Sequence, residues 1–254
     1  MNRREEPLQP PLREPEDRLV ELLRAGPLTL VGRIPWSSNF TLLGYIEDGS
    51  EQVAVVYKPN RGERPLWDFP HGTLARREVA AYLVSRALRW NLVPPTVLRR
   101  GPHGLGSVQL FADADQEAHF FTFQHDPAFR RVLQALVLFD VVCNNADRKA
   151  GHCLAIGPGR IVAIDQGLCF HVEPKLRTVI WDFAGQRIPA DLRGDLHGLE
   201  QALSDEDSPL VAGLMELLSP DEVAGTRRRL AELLKAGRFP DPPEERRAYP
   251  WPLV

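Results

Sequence analysis

Cysteine, methionine and long apolar runs are scarce in this chain of 254 residues. The three cysteines, Cys143, Cys153 and Cys169, are odd in number and have no CxxC spacing, which disfavours a disulfide framework and fits no standard zinc cluster. They predict free buried thiols in a reducing compartment. No stretch approaches the roughly 20 apolar residues of a membrane span, and the N-terminus lacks the apolar core of a signal peptide. We therefore expect a cytoplasmic protein without stable membrane insertion.

An excess of positive charge is also missing. Lys and Arg total 31 against 34 Asp and Glu, so the net charge is −3. Nucleic-acid binding needs a concentrated basic surface, and nucleic acid is therefore not an expected partner. The proportions of hydrophobic residues (43%) and charged residues (26%) are ordinary for a globular chain, whose length allows one large domain or two lobes.

Strand-forming segments dominate the first half of the chain. Residues 1–16 are rich in proline and charge without apolar periodicity, which predicts a disordered tail. After a short amphipathic helix, three β-rich runs separated by turn residues lie at 28–34, 40–46 and 52–57, and a further β-rich run lies at 107–111. A helix with apolar spacing is predicted from Leu74 to Trp90, with Thr73 as its N-cap.

The second half is predicted to be mainly helical. Apolar periodicity predicts helices at 191–203 and 208–218, and the capping box Ser219-Pro-Asp-Glu222 opens another that ends before Gly237. The run Arg227-Arg228-Arg229 is interpreted as a solvated face of that helix. The proline-rich tail after residue 240 contains apolar side chains, so we expect it to dock on the helical part.

Two acidic residues lie at the centre of the chain, in the stretch 139–170. Asp147 follows an apolar helical run, at a point where Asn144 and Asn145 favour a turn. Asp165 ends the second of two short β-rich runs, which the breaker Gly-Pro-Gly at 157–159 separates. A hairpin there would bring Asp165 back toward Asp147. Two carboxylates at helix and strand ends suit metal binding and activation of a hydroxyl group.

The segments DVVCNNADR (140–148) and AIDQGLCF (163–170) resemble the catalytic loop and metal-binding motif of phosphatidylinositol 3- and 4-kinases, the type II 4-kinases especially. Over most of its length the chain resembles an uncharacterised bacterial family distantly related to those kinases. The resemblance implies an α+β, two-lobed protein-kinase-like fold of the phosphatidylinositol 3/4-kinase type. Its lobes would be a strand-rich N-lobe (17–111) and a mainly helical C-lobe (112–240), followed by a tail (241–254).

The resemblance also implies roles for residues near the two acidic motifs. Asp147 would be the catalytic-loop acid, with Asn145 and Arg148 as supporting residues of that loop, and Asp165 would hold the metal. Where these kinases have a metal-binding Asn, this chain has His152, a possible second metal ligand and a departure from the two-magnesium arrangement.

The nucleotide would be held by the strand-rich part of the chain. Lys58 follows the apolar run 53–57 and would contact the phosphates, with Glu78 of the next helix as its ion-pair partner. By position, Ser37, Ser38 and Asn39 fall where a kinase has its phosphate-covering loop, and Gln109, Leu110 and Phe111 flank the expected adenine site.

The sequence thus favours an ATP-dependent phosphotransferase that uses Mg²⁺ or Mn²⁺ and a hydroxyl acceptor, which could be a small molecule, an inositol derivative or a protein. A nucleotide-binding pseudokinase that acts as a scaffold, with a protein partner, is the main alternative, because His152 departs from the kinase pattern. A metal-dependent hydrolase using Asp147, His152 and Asp165 is a third possibility, which would leave Lys58 and Glu78 without a role.

Overall fold

The computed structural model describes residues 16–34, 39–49, 51–115 and 117–254. Its main sheet has five antiparallel strands in the order β1-β2-β3-β5-β4. The strands are β1 (Leu28–Arg33), β2 (Leu42–Asp48), β3 (Glu51–Pro59), β4 (Thr96–Gly101) and β5 (Gly104–Leu110). The predicted N-terminal tail lies outside the described residues except for Glu16, which already belongs to helix α1 (Glu16–Ala25).

Helix α2 (Leu74–Ala87) is buried around most of its circumference, with ten of its 14 residues inaccessible. The predicted N-cap, Thr73, does not cap it, since its hydroxyl donates to the Pro70 carbonyl instead. Glu63 takes that role, because its carboxylate accepts from the amides of Leu74 at 3.0 Å and Gly72 at 2.7 Å. The helix stops at Ala87 rather than at residue 90, because the backbone turns left-handed at Arg89 (φ 56°).

The rest of the chain is mainly helical, as predicted. Helix α4 (Arg130–Cys143) is followed by Asn144, whose left-handed backbone (φ 53°) suits an asparagine C-cap. The capping box of Ser219 and Glu222 is present, and its helix ends at Gly237. The helices of this part are α3 (Phe120–Phe123), α4 (Arg130–Cys143), α5 (Ala190–Ser204), α6 (Pro209–Leu217) and α7 (Pro220–Ala236).

A two-stranded hairpin carries the residues that lead to Asp165. Strands β6 (Cys153–Gly157) and β7 (Arg160–Ala163) pair antiparallel, as the Gly-Pro-Gly breaker predicts. The three cysteines are free and buried, and burial raises the pKa of Cys153 to about 12. They therefore act as small apolar side chains rather than as reactive thiolates.

Helix α2 also connects the sheet to the helical part of the chain. Arg77, buried on α2, donates to the Cys169 carbonyl at 2.6 Å and forms an ion pair with Glu222 on α7. The C-terminal tail docks on the same part, since the Leu253 carbonyl accepts from the Ala150 amide at 2.8 Å. Across the described ranges, no helix combines the length and the apolar character needed to span a membrane.

Candidate active site

Lys58 lies near the end of β3, and its side chain points away from the core. Its neighbours Val55 and Tyr57 are fully buried, and the alternation along the strand turns Lys58 to the opposite face. The Nζ atom of Lys58 lies 2.5 Å from Glu78 Oε1 on α2 and 3.1 Å from Asp165 Oδ1. The structure therefore forms the predicted Lys58–Glu78 ion pair and joins Asp165 to it.

Charge pairing dominates the ionisation of this cluster. Burial lowers the pKa of Lys58, but the Asp165 and Glu78 carboxylates outweigh it and raise the pKa above its ordinary value. Lys58 in turn holds the pKa of Asp165 well below its usual range, against the opposing effect of burial. Glu78 makes a further contact, since its Oε2 accepts from the Gln166 amide at 3.0 Å.

Asp165 itself occupies a strained position. Its backbone has a φ of 60°, a left-handed conformation that is uncommon for a residue other than glycine, although aspartate tolerates it better than most. Its side chain is 46% exposed, so it can reach a ligand from the end of the hairpin.

Asp147 lies in the same cavity as Lys58 and Asp165, so the loop and the hairpin bring the two acidic motifs together as the sequence predicts. Burial raises the pKa of Asp147 from its ordinary value to about 6, although Lys149 opposes this effect. Lys149 Nζ lies 3.8 Å from Asp147 Oδ2 and its side chain is 19% exposed. Sequence reasoning missed Lys149, whose only signal is its position two residues after Asp147.

His152 lies between the two carboxylate motifs. Its Nδ1 atom is 2.9 Å from the Asp147 carbonyl oxygen, and because a carbonyl can only accept, Nδ1 carries the proton. Its Nε2 atom lies 3.4 Å from Asp165 Oδ2. Burial lowers the pKa of His152 to about 4, so the ring is neutral near pH 7 and Nε2 presents a lone pair.

A lone pair and a carboxylate oxygen that face each other suit a shared cation. Ligand atoms bound at about 2.1 Å from one metal ion stand roughly 3.0–3.4 Å apart at angles of about 90–110°, which matches the His152–Asp165 separation. Among the described residues no group of three His, Cys, Asp or Glu side chains could hold a metal ion. A divalent ion at this pair would need further oxygen ligands, such as those of phosphate groups.

A fully buried ion pair fixes the loop that carries Asp147. Arg148 donates from Nε and Nη2 to the two oxygens of Asp140 on α4, each at 2.9 Å. Arg148 also reaches the carbonyl oxygens of His152 and Ile164 at 3.1 and 3.0 Å. One guanidinium thus ties α4, the Asp147 loop and the hairpin end into a single unit.

Asn145 and Gln166 complete this buried network. Asn145 donates to Asp140 at 3.0 Å and accepts from the Asp147 amide at 2.9 Å. The Gln166 side chain accepts from Arg148 at 2.7 Å. Asn145 and Arg148 are 1% and 0% exposed, so they position Asp147 and do not themselves face the cavity. Asp140 and Gln166 were missed as network members, although a single acid within an apolar helix is a signal that a buried partner exists.

The other predicted nucleotide contacts are only partly near this cavity. Asn39 lines it, and its Oδ1 accepts from the Arg64 amide at 3.3 Å, whereas Ser37 and Ser38 lie outside the described residues. The residues predicted beside adenine, Gln109–Phe111, do not line it.

The predicted adenine-flanking residues are already engaged within the fold. The buried Gln109 side chain donates to Thr96 at 2.8 Å. The backbone amides of Leu110 and Phe111 donate to Pro95 and Ala54, each at 2.9 Å. These donors are therefore committed to β4 and β3 and the adjacent chain rather than presented to a ligand.

The cavity that contains Lys58, Glu78, Asp147 and Asp165 has a volume of ≈150 Å³. Ligand pockets usually measure about 300–1,000 Å³, so a whole nucleotide would not fit inside it. The charged groups in the cavity are suited to phosphate groups, and a base would lie outside it.

We predict that Asp140→Asn destabilises the protein by about 3–5 kcal/mol, because it leaves the Arg148 guanidinium buried without its counter-ion. Urea unfolding measures this loss. The matched control, Asp182→Asn, changes an exposed aspartate and should stay within about 0.5 kcal/mol of wild type. A loss below 1 kcal/mol in Asp140→Asn would contradict the importance given to this pair.

We predict that Asp147→Asn, in contrast, stabilises the protein at high pH. The folded-state pKa of Asp147, about 6, exceeds its ordinary value of 3.8, so its stabilising contribution is full below pH 3.8 and is lost as pH rises through 6. The asparagine variant should therefore exceed wild type by about 1–3 kcal/mol at pH 8, with the difference vanishing near pH 4. Urea unfolding at both pH values tests this, and a variant less stable than wild type at pH 8 would disprove it.

Solved structures with folds similar to this one include a hydra protein, the Golgi casein kinase and a bacterial kinase. Hydra Fam20 with sugar matches with a TM-score of 0.56 and 14% identity, over 87% of each chain. The Golgi casein kinase with Mn/ADP bound gives 0.54 and 15%, over 87% of this chain and 75% of that one. The Helicobacter pylori proinflammatory kinase CtkA gives 0.50 and 10%, over 85% and 94%. The protein therefore has a protein-kinase-like fold, which confirms the predicted fold class at that level.

Sequence comparison identifies a relative that shares nearly the whole chain. No protein-family model matches the sequence. Protein Rv2133c of Mycobacterium tuberculosis is 39% identical over 264 residues, which cover 91% of this chain and 94% of that protein. At this identity and coverage, the chain belongs to the family of Protein Rv2133c.

Proposed function

We propose that the protein is an ATP-dependent phosphotransferase that acts on a hydroxyl acceptor and uses Mg²⁺ or Mn²⁺. The observation that carries the proposal is the convergence of Lys58, Glu78, Asp147 and Asp165 on one cavity of a protein-kinase-like fold. These four side chains come from β3, α2, the loop after α4 and the end of the hairpin. The relation to phosphatidylinositol kinases rests on the two sequence motifs.

One group of residues would bind the nucleotide phosphates and the metal ion, and another would act on the acceptor. Lys58, oriented by Glu78, supplies positive charge to the nucleotide phosphates. Asp165 and His152 would hold the divalent ion, which when bound neutralises charge on the phosphate oxygens. Lys58 would then exchange its contact with Asp165 for a phosphate oxygen.

Asp147 acts on the acceptor. Its pKa of about 6 leaves it ionised at neutral pH yet basic enough to take a proton. The acceptor oxygen forms a bond to the γ-phosphorus, its proton moves to Asp147, and the bond to the bridging oxygen of ADP breaks. Lys149, 3.8 Å from the Asp147 carboxylate, would stabilise charge on the transferred group.

The remaining nucleotide contacts are assigned by position. Ser37, Ser38 and Asn39 would cover the phosphates, and the segment Gln109–Phe111 would lie beside the adenine. Because the Leu110 and Phe111 amides already donate within the protein, adenine would have to bond to carbonyl groups or to the residues that follow.

A nucleotide-binding scaffold with little catalysis is the second candidate. The Lys58 contact with Asp165 Oδ1 at 3.1 Å favours it, since that contact leaves only Oδ2 of Asp165, which faces His152, for a metal ion. The hydrolase alternative has less support, because His152 contacts the Asp147 carbonyl and not its carboxylate, so no three-ligand set forms among the described residues.

Nucleotide binding is tested by thermal unfolding with ATP and Mg²⁺ or Mn²⁺. A ligand that binds only the folded state adds about 2.7 kcal/mol at a hundredfold excess over Kd, which raises Tm by several degrees. We expect this shift in wild type and in the control Asp182→Asn, and its loss in Asp165→Asn. If millimolar ATP gave no Tm shift, both the kinase hypothesis and the nucleotide-binding scaffold hypothesis would be wrong.

Catalysis is tested by transfer of labelled γ-phosphate from ATP into cell-extract components. Asp147→Asn should keep the ATP-induced Tm shift and lower transfer by about 10²–10⁴-fold, because Asp147 serves the acceptor rather than the nucleotide. Binding without any transfer by wild type would favour the scaffold. Equal transfer by wild type and variant would show that Asp147 is not the base.

Metal preference tests the role of His152. An imidazole nitrogen suits first-row transition ions, whereas Mg²⁺ prefers oxygen, so the ATP-induced shift should be larger with Mn²⁺ than with Mg²⁺. His152→Asn should move the preference toward Mg²⁺. The same preference in both proteins would mean that His152 only hydrogen-bonds within its loop.

A further inference from the structure

A second cavity, of ≈590 Å³, opens between α7 and residues 172–176. It shares no lining residue with the cavity around Lys58 and Asp165. Its volume falls within the range of about 300–1,000 Å³ that is usual for sites of small molecules. This cavity is therefore separate from the proposed chemistry.

The segment 172–176 forms the wall between this cavity and the loop that precedes α2. Val172, Pro174 and Leu176 line the cavity. Lys175 does not, because its ammonium group pairs with Asp68 of that loop at 2.8 Å. Lys175 thus faces the opposite side of the wall from Val172, Pro174 and Leu176, so a molecule in this cavity would be separated by the segment from the Asp68 loop.

Two of the guanidinium groups around the cavity are structural. Arg229 donates to the carbonyl oxygens of Val142 at 3.0 Å and His171 at 3.3 Å. Arg238 donates to the Gly185 carbonyl at 2.7 Å. These contacts fix the walls, while both guanidinium groups keep their positive charge at the cavity surface.

The other two are available to a ligand. Arg228 and Arg246 line the cavity and are exposed, and within the described part of the chain their side chains have no hydrogen bond or ion pair. The acidic lining residues are Glu232 and Asp241, so four arginines against two carboxylates leave a net of two positive charges. This concentration stands out in a chain whose net charge is −3.

The inner surface of the cavity is apolar. Leu233 and Phe239 line it and are 5% and 2% exposed, and Leu176 is 9% exposed. Such a surface favours a flat or branched hydrocarbon group, while guanidinium groups at the edge bind carboxylate or phosphate oxygens in pairs. The combination selects for molecules that carry both features.

We propose that this cavity binds a small organic anion with an aromatic or branched apolar body and one phosphate or carboxylate group, held by Arg228 and Arg246. The arginine run 227–229 is then not simply a solvated face, since Arg227 pairs with Glu206 while the next two residues line the cavity. The site does not depend on the proposed phosphotransfer, because none of its residues belongs to the cavity around Lys58.

The test uses 1-anilinonaphthalene-8-sulfonate, an organic anion with an aromatic body whose fluorescence rises in apolar surroundings. We expect saturable binding of one probe per wild-type chain. Arg228→Gln with Arg246→Gln should weaken it at least about tenfold, which is 1.4 kcal/mol. The matched control, Arg187→Gln with Arg247→Gln, removes two exposed charges outside the cavity and should change binding less than twofold.

Two further measurements separate the features of the site. Ala236→Trp places a bulky side chain on the cavity lining and should also weaken probe binding, without any change of charge. N-phenyl-1-naphthylamine, which lacks the sulfonate, should bind more weakly and equally to wild type and to the double arginine variant. Equal sulfonate-probe affinity in wild type and in the cavity variants, or an equal loss in the control variant, would overturn the proposal.

Discussion

The buried ion pair between Arg148 and Asp140 is the interaction on which the candidate active site depends. A guanidinium removed from water is tolerated only with a matched partner, and Arg148 meets two carboxylate oxygens and two carbonyl groups. Because those groups belong to α4, to the turn at His152 and to the hairpin end, satisfying one arginine fixes the relative position of three elements. That arrangement sets the distance between Asp147 and Asp165.

Helix α2 fixes the position of Lys58 relative to Asp165 in the same cavity. Glu78 bonds both to Lys58 on the sheet and to the Gln166 amide next to Asp165, so one carboxylate connects the two parts of the site. Arg77, one residue earlier, anchors the same helix to α7. A displacement of α2 would therefore break the contacts that hold Lys58 and Asp165 together, and the helix is buried nearly all round because it packs on both parts of the protein.

Burial gives similar residue types different chemical roles within a few ångströms. Asp165 stays ionised because Lys58 compensates its charge, whereas burial moves the pKa of Asp147 toward neutrality. Burial keeps the His152 ring neutral near pH 7, and its Nε2 faces Asp165. The difference in pKa between the two carboxyl groups is therefore a property of their surroundings and cannot be deduced from the residue types alone.

The sequence by itself determined the elements and the principal charged residues. Apolar periodicity and turn chemistry located four of the five strands of the main sheet, the hairpin and the capped helix at Ser219, because those signals are local. Two motifs in the right order pointed to Asp147 and Asp165, and position after an apolar run and on the next helix pointed to Lys58 and Glu78. The tertiary structure alone decided that Asn145 and Arg148 are fully buried, that Glu63 rather than Thr73 caps α2, and that Arg228 and Arg246 share a cavity. These features depend on contacts between residues far apart in the chain, which no local pattern records.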